Sequence, residues 1–456
     1  MEQWALFRRW RTSCAGVLPY LEAKHEPMKI VMSASHGGFG SERVPLGGGA
    51  AIFERLASHK AFRSLDLTLL GAGNSPPPDL PYEAILSLDK APSSLGVLEY
   101  AQFSREFGRR TTERTLELKP DLLLCHDISE GPDVKRLEEA GIKTATIFHV
   151  DVVDIFNRLY LGSLLHPATL TQLYRSSRAL PWPAVLQLVF EKQQNVMDYG
   201  CLSVVPSSGA ASLLKRCYPD SPAPIRTIGW GAPAPRFSET ELSRRAAVLR
   251  QEHGIEPETR ILLTLSRLSP EKAQNRLLEA ALLAEENATM PPDVTIVIAG
   301  APAFMDGQKH AAKLRKLASR LTTPVVFPGH AGGLDKEAWY HAATLFVVNS
   351  LHESYGLTTL EAMQHGCPVV AVESFGTADT VTPEVGRLVP PGPELPLRLW
   401  STLDYLLRRE QTETLNQMSR AAKEKSARET FDHAAATLLA ELHCAVETIS
   451  ATLHTG

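Results

Sequence analysis

Short apolar runs alternate along this chain with longer stretches in which apolar residues recur at helical spacing. KIVMS at 29–33, LDLTLL at 65–70, DLLLC at 121–125 and IKTATIF at 142–148 have strand length, with helical patterns at 49–59, 98–118 and 131–140 between them. The alternation resumes with RILLTL at 260–265, VTIVIA at 294–299, PVVF at 324–327, LFVVN at 345–349 and PVVAV at 368–372. Strands separated by helices predict βαβ units and parallel sheets, because parallel neighbours need a crossover. Between the two halves, Pro219, Pro222, Pro224, Pro233 and Pro235 stand with Gly229 and Gly231, a density that predicts a linker. The expected organisation is an α/β chain with an N-terminal extension (1–27) and a Rossmann-like domain (28–225). A linker (226–250), a second Rossmann-like domain (251–430) and a C-terminal helix (431–456) follow. In that helix Ala434, Leu438, Leu439, Leu442 and Val446 keep helical spacing.

The stretch 150–200 breaks the alternation. Leu159, Tyr160, Leu164, Trp182 and Phe190 lie among Pro167, Pro181 and Pro183, which reads as inserted helices. Core packing is the expected use of their apolar faces, against the alternative of an acceptor-binding or membrane-apposed surface. Arg8, Arg9 and Arg11 interrupt any apolar run near the start, so no signal peptide is expected. No stretch reaches the roughly 20 apolar residues of a membrane span.

Charge narrows the function classes. Forty-seven basic against 51 acidic residues give a net charge of −4, which leaves no global footprint for nucleic acid or an anionic membrane. The basic cluster Lys309, Lys313, Arg315, Lys316 and Arg320 is expected on a solvated helix face. The six cysteines show neither CxxC nor zinc spacing, as in buried thiols of a reducing, cytoplasmic compartment.

Four segments carry candidate chemistry. In LFVVNSLHESYGLTTLEAMQHGCPVVAV (345–372) a strand, a loop and a short helix from Leu357 to Gln364 follow one another. The amides around Tyr355, Gly356, Leu357 and Thr358 open that helix, where N–H groups and the helix dipole favour a diphosphate. Glu353 and Glu361 flank this anion site; carboxylates belong there if they bond hydroxyls, Glu353 those of a sugar and Glu361 those of a ribose. The plainer reading makes Glu353 a helix-dipole partner and Glu361 a solvated helix residue. Arg267 and Lys272 follow a strand in ILLTLSRLSPEK and are placed to hold a diphosphate, or else are surface charges. The glycine-rich loop SASHGGFGSERVPLGGG (33–49), with Gly38, permits close approach of a phosphate or sugar, but lacks both the dinucleotide and the P-loop spacing. His126 and His149 each end a first-domain strand, facing the crevice opposite Glu353.

Together these segments resemble the retaining GT-B glycosyltransferases of the family 4 type, the glycosyl transferases group 1, over roughly residues 28–430. Glu353 to Glu361 with the trailing Gly366-Cys-Pro-Val-Val-Ala371 is similar to the family's E-x7-E signature, and Ser266-Arg267-Leu-Ser-Pro-Glu-Lys272 to its G-R-L-x-x-E-K loop. Gly329 and Gly376 fall at familiar glycine positions. The resemblance implies two Rossmann-like domains facing a central cleft, with Arg267 and Lys272 on the donor diphosphate and the amides after Tyr355 on its distal phosphate. It implies Glu353 on the donor sugar, Glu361 on the ribose and the base near Phe327 to His330. The strand ending in His126 looks like the family's strand with an active-site histidine, and His149 like a second cleft histidine. The sequence departs from the pattern at Ser266 and Ala273, where glycine is usual, and at Leu124, where a second histidine is frequent.

The expected function is transfer of a sugar, with retention, from a UDP, GDP or ADP type nucleotide sugar to a hydroxyl acceptor: a small molecule, a glycan or a lipid-linked compound. With no DxD pair near the diphosphate loop, neither a metal nor a cofactor is expected. The rivals are a nucleotide-sugar epimerase or glycosyl phosphorylase on the same scaffold, and a non-catalytic nucleotide-sugar-binding protein. A dinucleotide oxidoreductase is disfavoured by the missing glycine fingerprint.

Overall fold

The computed structural model describes residues 27–40, 47–75, 79–88, 91–162, 165–303 and 306–453. The expected 1–27 extension lies, but for its last residue, outside them, as do 41–46 of the glycine-rich segment. Two parallel sheets form. The first contains β1 (Lys29–Ser33), β2 (Asp66–Gly71), β3 (Tyr82–Ala84), β4 (Leu122–Cys125), β5 (Lys143–Ile147), β6 (Leu202–Val205) and β7 (Ile225–Thr227), in the order β3-β2-β1-β4-β5-β6-β7. The second contains β8 (Arg260–Leu265), β9 (Val294–Ala299), β10 (Val325–Gly329), β11 (Leu345–Val348), β12 (Val369–Val372) and β13 (Gly386–Val389), in the order β10-β9-β8-β11-β12-β13. Every residue of β4, β6, β9, β11 and β12 is buried, as strands covered by helices on both faces require.

These strand orders decide where a site can lie. Each sheet reverses direction once, between β1 and β4 in the first and between β8 and β11 in the second. The crevice outside the carboxyl ends of strands at such a switch point is where open α/β sheets bind ligands. In the first sheet it is edged by the turn after β1 and by His126 after β4. In the second it is edged by the loops 266–272 and 349–356.

Three features depart from the sequence-based expectation. The 226–250 stretch is mostly structured: β7 takes its first residues, and Glu239–Glu252 is a helix opened by a Ser238–Glu241 capping box. Only 228–238 connects without regular structure. The short strands β3, β6, β7 and β13 went unpredicted, because three or four residues carry too little alternation to be told from loop. Third, the Phe431–Leu453 helix packs back onto the first domain. Ala232 and Phe431 exchange backbone bonds with the crossing strand, Ala232 N–H to Glu429 O at 2.8 Å and Phe431 N–H to Ala232 O at 2.9 Å. Arg226 meets Glu441 at 2.9 Å, and the rings of Trp230 and Phe431 lie 6.4 Å apart. One apolar core therefore runs from the first sheet through Trp230 into the second domain and onto Leu438 and Leu442.

The inserted helices Val152–Tyr160, Pro167–Ser176 and Ala184–Tyr199 make their own small core, in which Tyr174 and Phe190 stack at 5.1 Å with Trp182 beside them. Leu164 and the side chains of Leu159 and Tyr160 lie outside the described residues. The basic residues 309–320 lie on the exposed face of Gly307–Ala318 and just beyond it. Of the five described cysteines, Cys125, Cys217 and Cys367 are buried free thiols. Among the described residues no helix is long and apolar enough to cross a membrane.

Candidate functional site

On the second domain, the loops after β8 and β11 are stitched together. Leu351 N–H donates to Glu271 O at 3.2 Å, and Lys272 Nζ meets Glu353 Oε2 at 2.8 Å. Burial pushes the Glu353 carboxyl upward, but Lys272 more than offsets it and holds the pKa below the usual carboxylate range. Burial lowers the Arg267 pKa, and Glu271 and Glu353 act against that shift. Arg267, Lys272 and Glu353 thus share one field at the mouth of the crevice.

Gln274, fully buried, holds this loop in shape. Its amide donates to Ser266 Oγ at 2.8 Å and Arg267 O at 2.7 Å, while its oxygen meets His310 Nε2 at 2.8 Å. Ala273 sits at φ 47°, ψ 35°, the left-handed region that favours glycine.

The helix Leu357–Gln364 has the predicted bounds. It starts from Gly356 at φ 88° with no side-chain cap; Thr359 N–H donates to Gly356 O at 2.9 Å, which leaves the N–H groups of Leu357 and Thr358 to another acceptor. Leu357 and Thr358 are half-buried at that end. Gly376 makes the loop possible: a methyl there would lie 2.3 Å from the Tyr355 backbone, and its N–H donates to Glu353 O at 2.8 Å. The Tyr355 side chain has a separate use, its phenol accepting from Gly231 N–H at 3.2 Å where the chain crosses between domains.

Glu361 is no solvated helix residue; it is 6% exposed. Lys336 Nζ lies 3.1 and 3.2 Å from its two oxygens, Tyr340 Oη 3.3 Å from Oε2, and Arg55 Nη2, from the first domain, 2.8 Å from Oε1. Burial raises its pKa, yet Lys336 and Arg55 outweigh that and keep it ionised.

The first-domain face is built differently. His126 Nδ1 and His149 Nε2 are 3.0 Å apart, their rings stacked at 5.2 Å, with Phe53 edge-on to His126 at 5.4 Å. His36, in the turn after β1, joins them and was missed in the sequence, hidden in a glycine-rich loop. Burial, and then Arg267, lower the His36 pKa to about 4; burial, and then His36, lower that of His149 to about 4. Burial and His149 depress His126 further in the same direction. All three imidazoles are neutral at pH 7. Among the described residues, His36 Nδ1 and His126 Nε2 are buried without a hydrogen-bond partner. Asp127 locks the turns together by accepting from Ser35 N–H at 2.7 Å and Ser35 Oγ at 2.8 Å.

The helix Gly48–Ser58 brings the two faces together. A methyl on Gly47 would lie 3.7 Å from Arg267, on Gly48 3.3 Å from Leu357 and on Gly49 3.1 Å from His149. Two of the expected residues stand apart from this meeting point. Gly38 (φ 80°) would place a methyl 2.2 Å from the Tyr82 hydroxyl and 2.6 Å from Gly73 O, so packing explains its glycine. Gly329 (φ 83°) ends β10 and accepts from Gly300 N–H at 2.7 Å, at the outer edge of the crevice. Arg55, Lys336, Tyr340 and Gln274 gave no sequence signal, because an inward polar side chain on an amphipathic helix looks like any boundary residue. Among the described residues no group of three His, Cys, Asp or Glu side chains is arranged so as to hold a metal ion.

Residues 246–425 match the family model described as glycosyl transferases group 1. A D-inositol 3-phosphate glycosyltransferase of Catenulispora acidiphila is 34% identical over 199 residues, covering 43% of this chain and 45% of the relative. One of Frankia alni is 36% identical over 162 residues, covering 35% and 39%. The chain thus spans less than half the length of these curated relatives. Among solved structures, Anabaena HepE in complex with UDP and glucose superposes with TM-score 0.62 at 19% identity, covering 91% of this chain and 99% of that one. Sucrose-phosphate synthase of Thermosynechococcus elongatus gives 0.66 at 16% identity, covering 92% and 100%. At these identities the likeness shows a shared two-sheet fold. The second domain is thus similar to the glycosyl transferases group 1, and the chain as a whole shares the two-sheet GT-B fold of these structures.

Proposed function

We propose that this protein transfers a sugar, with retention and without an essential metal, from a nucleoside diphosphate sugar to a hydroxyl acceptor. The observation that carries the reading is the convergence of Arg267, Lys272 and an uncapped helix N-terminus beside Glu353. Cleaving a sugar–diphosphate bond leaves negative charge on the departing phosphate, and preorganised cations and N–H groups stabilise that charge where it develops. Glu353, held ionised by Lys272, accepts hydrogen bonds from the sugar hydroxyls, and Glu361 accepts from the ribose. HepE, solved with UDP and glucose, supports a nucleotide-sugar donor.

The neutral histidines support the stereochemical part. An imidazole whose pKa is depressed to about 4 is a weak base. His126 and His149 therefore orient hydroxyl groups, and the acceptor's proton passes to the departing phosphate oxygen as the new glycosidic bond forms. That transfer requires attack from the leaving-group face, which gives retention. The acceptor is a small molecule, a glycan or a lipid-linked compound.

The test is calorimetric titration with UDP, GDP and ADP in EDTA, with Arg267→Ala alongside. Tight binding of one diphosphate, lost in the variant, is the expected result. A folded protein that binds none of the three would overturn the reading.

A further inference from the structure

Among the described residues, Arg55 is the one group that reaches Glu361 from the opposite side of the cleft. Lys336 and Tyr340 hold the carboxylate from the helix Gly333–Ala342 of its own domain. Arg55 comes from the first-domain helix Gly48–Ser58 and covers the side that faces the crevice. A carboxylate offers about four lone-pair positions, and here four protein contacts use them. A ribose hydroxyl cannot simply be added; it must replace one of these bonds.

The bond most easily replaced is that of Arg55. It uses one guanidinium nitrogen instead of the two-pronged arrangement that makes arginine–carboxylate pairs strong. Among the described residues its Nη1 is buried with no hydrogen-bond partner. The Arg55 side chain is 25% exposed against 8% for Glu361, so solvent can take up the displaced guanidinium. Lys336 and Tyr340 remain on the carboxylate, so Glu361 is never left as an unpaired buried charge.

We infer that Arg55 is a specificity-determining residue of the donor site, competing with the ribose hydroxyls of the nucleotide for the Glu361 carboxylate. This rests on the reading that Glu361 takes the ribose. A ribonucleotide, with two hydroxyls to donate, displaces Arg55; a ligand that offers only phosphates has nothing with which to replace it. The arginine thereby makes the site demand a ribose, and it sets the nucleotide affinity below what the second domain alone would give.

The experiment is titration of wild type, Arg55→Met and Arg55→Lys with UDP, GDP and ADP and with inorganic pyrophosphate, in EDTA, with thermal melts to verify folding. Methionine keeps the apolar stem; lysine keeps the charge. The nucleoside diphosphate that binds wild type is expected to bind Arg55→Met about three- to tenfold tighter, with Arg55→Lys in between and pyrophosphate unchanged. Unchanged or weaker nucleotide binding in Arg55→Met overturns the inference, and so does an equal gain for pyrophosphate. Binding to wild type without that gain removes this inference alone. Binding to Arg55→Met but not to wild type supports it, and binding to neither removes it together with the donor-site reading.

Discussion

The two faces of the cleft solve opposite electrostatic problems. The second-domain face gathers Arg267, Lys272, Glu353 and Glu361, and pairs Lys272 with Glu353 and Lys336 with Glu361 so that both carboxylates stay ionised despite burial. The first-domain face gathers three imidazoles and strips them of charge. A charged face suits a ligand that brings its own charge, as a diphosphate does. A neutral one suits hydroxyls, which need direction more than attraction. On this view the second domain binds and the first domain aligns.

The strongest way to break that division is Arg267→Ala against His126→Ala. Removing Arg267 is expected to lower turnover about 100- to 1,000-fold, the worth of one leaving-group stabiliser, and to abolish nucleoside diphosphate binding by calorimetry. His126→Ala should leave that binding intact while lowering kcat about ten- to a hundredfold, the worth of a hydrogen bond to developing charge. Equal loss of binding in both variants would collapse the comparison.

The coupling within the first-domain face comes next in size. The 3.0 Å contact between His126 and His149 makes them one unit. A double-mutant cycle on kcat/KM with His126→Ala and His149→Ala should return about 0.5–3 kcal/mol of interaction energy. Strict additivity would mean that the two rings act separately.

The neutral histidines also leave a signature in stability. Their folded pKa lies below the ordinary histidine value, so the unfolded chain binds protons first as the pH falls. Their contribution is complete above about pH 6.5 and is lost toward pH 4, at up to about 1.4 kcal/mol per pH unit for each histidine. Asp127, raised to about 8 by burial beside Glu130, runs the other way across the same window. The difference between wild type and His36→Asn therefore isolates the effect. Urea midpoints at pH 7, 6 and 5 should fall less steeply in the variant, and parallel curves would show that His36 titrates normally.

The smallest effect belongs to the second-domain loop. Ala273→Gly relieves a left-handed residue and should stabilise the protein by about 0.5–1 kcal/mol in thermal or urea unfolding, with diphosphate binding retained. A loss of stability would mean that the loop relies on the alanine methyl.

The same asymmetry explains what could be read from the sequence. The helix Leu357–Gln364 and the long strands β8 and β9 were legible to the residue, because continuous apolar runs and a glycine-opened helix leave few alternatives. Arg267, Lys272 and Glu353 sit in two short segments with a recognisable order. The first-domain face draws on three distant strand ends, and only histidines directly following a predicted strand stood out; His36 lies three residues past β1. Arg55 and Glu361 are 306 residues apart, and only the docking of the two domains makes them neighbours.

The returning C-terminal helix has a consequence for how the chain is made. The first sheet is complete once Thr227 has been synthesised, but Trp230 and the neighbouring surface are covered only when Phe431 and the helix beyond it arrive. More than 200 residues separate these partners, so the first domain waits on the ribosome with an apolar flank open until those later residues emerge. A stop codon just before residue 431 would therefore damage the half of the protein that had been finished first.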